Sequence, residues 1–374
     1  MTQRQKTALI MAGGTGGHIF PGLAVAHALQ AQGWQVHWLG TPGSMESRIV
    51  PQHSGIGLEL IAFGGVRGKG LRTLLALPFT LGRACWQAAR VMRRVQPDVV
   101  LGFGGYITAP GGLMAWLLGK PLLLHEQNSI AGTANRWLAK LARRVFTAFP
   151  HVLPGGQWVG NPLRAAFLQQ AEPAERFAGR SGPLHLLVVG GSLGAKALNT
   201  IVPQALALIS PDKRPVVTHQ AGEKQFDELQ ANYAKAGVQA TLTPFIQDTA
   251  SAFAQADLVL CRAGASTVTE LAAVGVAAAF VPFPAAVDDH QTHNARFLVD
   301  AKAGWLLPQR ELTPELLADL LQKLERPQLI ARALEAKKMQ KTEAVNALVA
   351  ACEDCAATPK APTAPTDSST RRSA

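Results

Sequence analysis

The sequence predicts an α/β protein made of two doubly wound parallel-sheet domains that face a shared cleft. Three observations carry that expectation. The chain has 374 residues, more than one hydrophobic core usually serves. Short apolar runs alternate with helix-like segments through both halves, the pattern of parallel strands joined by helical crossovers. Two glycine-rich loops, about 180 residues apart, each follow an apolar run and open a helix: Gly13-Gly14-Thr15-Gly16-Gly17-His18 and Gly190-Gly191-Ser192-Leu193-Gly194-Ala195. A buried strand ending in glycines before a helix leaves backbone N–H groups at a positive helix end, where an anion can sit. One such loop marks only a tight turn. A pair points to two similar domains around one ligand.

The elements follow in order. In the first half, strands are expected at residues 8–11, 35–39, 58–63, 98–101, 121–125 and 144–148, with helices at 22–32, 74–95, 109–118 and 131–141. The second half repeats the alternation. Its strands are expected at 184–189, 216–220, 240–244, 258–261 and 277–281, and its helices at 195–208, 223–236, 249–256, 267–274 and 290–300. Turn residues cluster at 153–164, in Pro154-Gly155-Gly156 and Gly160-Asn161-Pro162, and mark the join. The domains are therefore set at 1–161 and 162–356, the last helix packing back on the first domain. Residues 357–374, rich in Pro, Thr and Ser, are expected to be a disordered tail, having too little apolar surface to bury.

Composition narrows the function classes. The net charge is +11, and the excess is confined to the first half. Residues 1–164 carry sixteen Lys/Arg against four Asp/Glu, a net +12. An acidic partner surface on that half is implied, nucleic acid or anionic lipid headgroups. No recognition-helix, RNA-binding or zinc-finger pattern accompanies the charge, which argues against nucleic acid. The four cysteines make no disulfide framework, as in a reducing cytosol, and Cys352-x-x-Cys355 lacks the second pair of a zinc site. No window offers the roughly 20 uninterrupted apolar residues of a membrane span, so a soluble or peripheral protein is expected.

The first loop is not a dinucleotide fingerprint. The strand after it ends Trp38-Leu39-Gly40, without the carboxylate that binds a ribose. Neither loop ends in the Gly-Lys-Ser/Thr of a nucleoside triphosphatase. His18 stands at a helix N-terminus, where the dipole disfavours imidazolium; it is either a general base or a cap of the turn. Gly102-Phe103-Gly104-Gly105-Tyr106 and His125-Glu126-Gln127-Asn128 close two more strands, the edge where open α/β sheets bind ligands. In the second half, Arg262-Ala263-Gly264-Ala265-Ser266-Thr267-Val268-Thr269-Glu270 again opens a helix with small residues, letting a ligand approach the backbone. Glu270 either accepts from ribose hydroxyls or complements the helix end. Leu75, Phe79 and Trp86 crowd with Lys69, Arg72, Arg83 and Arg90. That suits a segment in the headgroup zone of an anionic membrane or, alternatively, an ordinary helix with a solvated basic face.

Those motifs, with Val159-Gly160-Asn161-Pro162 and Asp289-His290-Gln291, match in order those of the MurG family, which the chain resembles from residue 7 to about 350. The family comprises bacterial GlcNAc transferases that convert lipid I to lipid II in peptidoglycan synthesis. The resemblance implies a GT-B fold of two Rossmann-like domains. It implies UDP-GlcNAc as donor, bound by the second domain, and lipid I as acceptor, bound by the first. It also implies an anionic membrane surface, at the cytoplasmic face of the inner membrane, and the cell-wall and division machinery as partners. Carried over residue by residue, Ser192 and its loop hold the diphosphate with Arg164. Ile246 and Ala265, Ser266, Thr267, Val268, Thr269 and Glu270 hold the uridine. Asn128 and Gln291 meet the donor sugar or its surroundings, Thr15, Gly16 and Gly17 line the cleft opposite, and Asn199 matches a polar position of less certain role. The reaction implied is an inverting transfer with His18 as base, Glu126 or His125 competing for that role. No Asp-x-Asp motif is present, so neither metal nor cofactor is expected.

Overall fold

The computed structural model describes residues 4–64, 70–191 and 193–357; of residues 70–74 and 287 it describes the backbone alone. Ser192, Lys69, the Arg72 side chain and the tail beyond Ala357 therefore lie outside the described residues.

Two parallel sheets form the molecule. The first holds β1 (Thr7–Met11), β2 (Gln35–Gly40), β3 (Ile56–Leu60), β4 (Val99–Gly102), β5 (Leu122–Glu126), β6 (Arg144–Thr147) and β7 (Gln157–Trp158), in the order β3-β2-β1-β4-β5-β6-β7. The second holds β8 (His185–Val189), β9 (Val216–Gln220), β10 (Thr241–Thr243), β11 (Leu258–Cys261), β12 (Ala277–Phe280) and β13 (Gly304–Leu306), in the order β10-β9-β8-β11-β12-β13. Central strands such as Leu258–Cys261 and Ala277–Phe280 are buried throughout, as strands covered on both faces must be. In each sheet the order reverses beside one strand, β1 in the first and β8 in the second. A crevice opens at the carboxyl end of such a switch point, and both glycine loops lie there.

Differences from expectation are local. The first helix runs Gly16–Ala31 rather than from residue 22, so Gly16, Gly17 and His18 form its opening turn and Pro21 lies inside it. The third strand is Ile56–Leu60, two residues earlier than expected. β7 and β13, with two and three residues, are too short to display an alternating pattern.

The final helix, Ala344–Ala357, packs against Gly16–Ala31: Leu348, Ala351 and Cys352 share a core with Ile19, Val25 and Ala26. Glu353 accepts hydrogen bonds from Lys6 and Trp34, and Asp354 pairs with Arg144 at 3.0 Å. Cys352 and Cys355 are both buried in this contact, which gives the pair a packing role. The two passages between sheets touch: a Cβ on Gly160 would lie 2.5 Å from that of Lys341.

Candidate active site

The first glycine loop is built from backbone upward. β1 delivers Gly13 to the switch point, and Thr15, in extended conformation, precedes the helix. Gly105 lies so close to Gly13 that a Cβ there would sit 2.3 Å from the Gly13 carbonyl oxygen. Beneath the loop lies Glu46, fully buried. Its Oε2 accepts the Gly14 N–H and its Oε1 the Thr41 N–H, each at 3.2 Å. The sequence reading missed this carboxylate, because it sits in a five-residue helix, Met45–Ile49, with no motif around it.

His18 is half-buried at the helix start, its Nδ1 3.2 Å from Thr15 Oγ1. Burial holds its pKa below the ordinary imidazole value; Glu126, a hydrogen bond with the Gly13 backbone and, least, Glu46 pull it upward, and His290 pushes it down. His290 opens the helix His290–Val299 of the second sheet. The two halves thus meet electrostatically at His18.

The other candidates for the base are tied into the fold. His125 is fully buried. Its Nε2 donates to the Gly160 carbonyl at 2.8 Å and its Nδ1 accepts from Gln127 Nε2 at 3.0 Å, and burial depresses its pKa to about 4. With both ring nitrogens used inside the protein, it braces the passage between domains. Glu126, 2% exposed, accepts from the Asn128 N–H, the Asn128 amide, the Gly132 N–H and the Asn135 amide at 2.9–3.4 Å. Four donors on one carboxylate occupy its acceptor positions and shape the loop that carries Asn128.

A clasp joins that loop to the second half. Asn294, fully buried, accepts from the Ser129 N–H at 2.9 Å and its hydroxyl at 2.7 Å, and donates to Ala263 O and Asn128 Oδ1. Lower in the cleft, Asn161 donates to Thr269 Oγ1 at 3.2 Å. Neither asparagine pairing across the halves was read from sequence, since no local pattern encodes a contact 165 or 108 residues away.

The second glycine loop is held by neutral amides. Gln220 Oε1 accepts the Gly191 N–H at 3.1 Å, and its Nε2 donates to the Gly191 and Pro244 carbonyls. Gln225 Nε2 donates to Leu193 O at 2.8 Å. Asn199 is fully buried and holds Gln225, the Ala221 carbonyl and His219. It does not line the cleft; it sets the loop from behind. Burial depresses the His219 pKa to about 3, so its ring is a neutral member of that network.

The helix Ala265–Val274 points its N-terminus into the cleft after Gly264. Val268 and Thr269 are buried against the core, so only their backbone can serve a ligand; Ala265 is buried too. Thr267 and Ser266 are half-buried, and the Ser266 hydroxyl, shielded from solvent, has no hydrogen-bond partner among the described residues. Glu270 lies 4.0 Å from Arg164; burial pushes its pKa up to about 7 against the pull of that guanidinium. Arg164 stacks over Phe167; hydrogen bonds from Ser251, and least of all Arg164, lower the pKa of Asp248, two residues beyond half-buried Ile246. Gln291 Oε1 accepts from the Ala263 and Phe283 N–H groups and ties the loops beside the helix end. Of the expected site residues, Thr15, Gly16, Gly17, His18, Asn128, Arg164, Ser266, Thr267, Glu270 and Gln291 keep accessible surface at the loops and helix starts described above. His125, Asn199, Val268 and Thr269 stand behind them.

Two parallel-sheet domains whose glycine loops occupy facing switch points define a GT-B transferase. Residues 8–147 match the Glycosyltransferase family 28 N-terminal domain and residues 185–349 its C-terminal domain. A protein of Albidiferax ferrireducens is 70% identical over 353 residues, covering 93% of this chain and 91% of its own length; it is named UDP-N-acetylglucosamine--N-acetylmuramyl-(pentapeptide) pyrophosphoryl-undecaprenol N-acetylglucosamine transferase. The crystal structure of Acinetobacter baumannii MurG superposes with a TM-score of 0.83 at 43% identity, over 93% of this chain and 99% of that one. The calicheamicin glycosyltransferase CalG4, at 16% identity and TM-score 0.65 over 94% of this chain and 98% of its own, shares the fold. The chain belongs to glycosyltransferase family 28, among its MurG members.

Proposed function

We propose that this chain is an inverting hexosyltransferase that moves GlcNAc from UDP-GlcNAc to the 4-hydroxyl of the N-acetylmuramyl group of lipid I, forming the β-1,4 bond of lipid II. The observation that supports it best is that His18, at the first glycine loop, lies near enough to His290 of the second half for the two rings to interact electrostatically. The acceptor oxygen forms a bond to C1 of GlcNAc as the bond from C1 to the diphosphate oxygen breaks. UDP leaves with the electron pair, and the hydroxyl proton passes to His18 Nε2, the ring nitrogen not engaged by Thr15. A base held neutral by burial suits that task near neutral pH.

The developing charge on UDP is met by fixed dipoles. The loop at 190–194, with Ser192, and the Arg164 guanidinium take the diphosphate. Ile246 and the start of the helix Ala265–Val274 take the uridine, Glu270 its ribose hydroxyls, and Asn128 and Gln291 the sugar. Thr15, Gly16 and Gly17 line the acceptor side. Transfer of labelled GlcNAc to a lipid I analogue tests the reading. Turnover should persist in EDTA and fall about 10²–10⁴-fold in His18→Gln, the usual worth of a general base. Near-wild-type turnover by that variant would remove His18 from the role.

The helix Gly70–Val95 supports a peripheral seat on an anionic membrane, at the cytoplasmic face of the inner membrane. Among the described residues no helix is long and apolar enough to cross a membrane. On this helix Leu77, Leu81, Ala84, Ala88, Val91 and Met92 pack into the core. Leu75, Phe79, Arg83, Trp86 and Arg90 fall within roughly 80° on the opposite side, with Phe79 82% and Trp86 61% exposed. The helix thus carries two apolar faces, one inward and one outward. Arg90 lies over the Trp86 ring. Phe79→Ser with Trp86→Ser should weaken sedimentation with anionic vesicles about tenfold per side chain, leaving transfer to a water-soluble acceptor intact. Unchanged vesicle binding would relegate this face to ordinary surface.

A further inference from the structure

We propose that Glu46 is a positioning residue for the reaction. Its buried carboxylate fixes the first glycine loop and sets the charge environment of His18; this rests on the reading of His18 as base. Three observations converge. Both oxygens of Glu46 accept backbone N–H groups, one from Gly14 in the loop and one from Thr41 at the end of β2. The loop closes directly on it: a Cβ on Gly13 would lie 2.8 Å from Oε1, and one on Gly40 2.9 Å from Cγ. The side chain is fully buried, so its field acts with little water screening.

The carboxylate also reaches the groups displayed above it. Tyr106 packs over Gly14; burial raises its phenol pKa, Glu46 raises it further, and a hydrogen bond with Thr41 opposes both. The charged and titratable groups facing His18 are Glu126 from the end of β5, His290 from the second half and Glu46 from below. Burial and His290 favour the neutral ring; Glu126, the hydrogen bond with the Gly13 backbone and Glu46 favour the imidazolium. Glu126 acts on the ring more strongly, but its hydrogen bonds are to another loop; Glu46 holds the glycine loop itself and so couples the conformation of that loop to the surroundings of the ring.

One N–H of this loop, that of Gly14, already meets a carboxylate, and an anion directly above it would face a buried like charge. The first loop is a platform for an alcohol and its proton acceptor.

Glu46→Gln keeps the shape, removes the charge and turns an amide N–H toward one of two backbone N–H donors. It should lower kcat about 10- to 100-fold through misplacement of the ring, leave KM for UDP-GlcNAc within about twofold, and move the acidic limb of the kcat–pH profile to lower pH. Loss of an anion lowers the ring's pKa, so the sign is fixed. Glu46→Asp keeps the charge; its limb should stay near that of the wild type while kcat falls. Wild-type turnover in Glu46→Gln would overturn the assignment, as would a loss of turnover with the limb unmoved and KM for the donor raised. If Glu46→Gln does not fold, Glu46→Asp decides: a displaced limb or an unchanged kcat overturns it. The same profile on His18→Gln separates the two readings. A limb surviving there sinks His18 as base, and Glu46 is then judged on its kcat-against-KM split alone.

Discussion

The two glycine loops occupy equivalent switch points, yet one is underpinned by an anion and the other by neutral amides. Glu46 accepts the Gly14 N–H; Gln220 accepts the Gly191 N–H at 3.1 Å. Both braces satisfy a buried backbone donor, which any tight loop requires. They differ in what they leave above. An amide adds no net charge, so the positive end of the helix Lys196–Ala207 stays available to a phosphate. A carboxylate spends that potential. On the proposed reading, similar backbone shapes in one chain take different tasks according to one buried side chain.

The harshest way to probe the first loop is Gly105→Ala. The new Cβ would fall 2.3 Å from the Gly13 carbonyl oxygen, and Gly105 has φ of +82°, a region costly for any L side chain. Because the obstacle is backbone, nothing can rotate away. Loss of about 3 kcal/mol or more is expected, read as an early urea transition of the first half and loss of transfer. Wild-type denaturation would mean that the two loops do not depend on close packing at Gly13. Tightness alone does not separate them, since a Cβ on Gly194 would lie 2.2 Å from the Ala221 carbonyl oxygen.

Next in size is Glu270→Gln, which tests where the second half keeps its anion. Burial pushes this carboxyl from an ordinary 4.5 up to about 7, so the fold prefers it protonated. Its contribution to stability is fully present below the unfolded pKa and lost as pH rises through about 7. That shift corresponds to roughly 3 kcal/mol. Glu270→Gln should therefore be more stable than the wild type by up to about 3 kcal/mol at pH 8 and by under about 1 kcal/mol at pH 5, while binding UDP less tightly. A stability difference that ignores pH in urea titrations would show that Glu270 is not a desolvated carboxylate held for a ligand.

Much of this was legible in the residues. Apolar runs and glycine punctuation located the long strands of both sheets, because strands buried on both faces are continuous in sequence. The same logic found the loops and His18. It could not find Glu46, whose partners Gly14 and Thr41 come from two other strand ends. Nor could it rank His18, His125 and Glu126, which share polarity but differ in what they touch: His125 is spent on Gly160 and Gln127, Glu126 on four donors. Asn199 was placed among ligand contacts because it matches a polar position of the MurG family. Its full burial beneath the loop is a tertiary fact. Aromatics and arginines crowd together along the basic helix because its apolar residues serve two opposite faces.

The smallest effect is expected at Gly191→Ala, and it is the closest control for the first substitution. Gly191 also has positive φ, +84°, but a Cβ there meets nothing within 4 Å among the described residues. Only the conformational cost remains, about 1–2 kcal/mol, with no displaced backbone. Stability should therefore fall modestly. The methyl group, however, projects from a loop whose open side is assigned to the diphosphate. KM for UDP-GlcNAc should rise several-fold while the pH profile set by the other loop stays unchanged. If Gly191→Ala instead unfolded the protein as Gly105→Ala is expected to, both loops would be structural joints and the division of labour between anion and amide would fail. If it moved the pH profile, the proton acceptor would have to be sought on the donor side of the cleft.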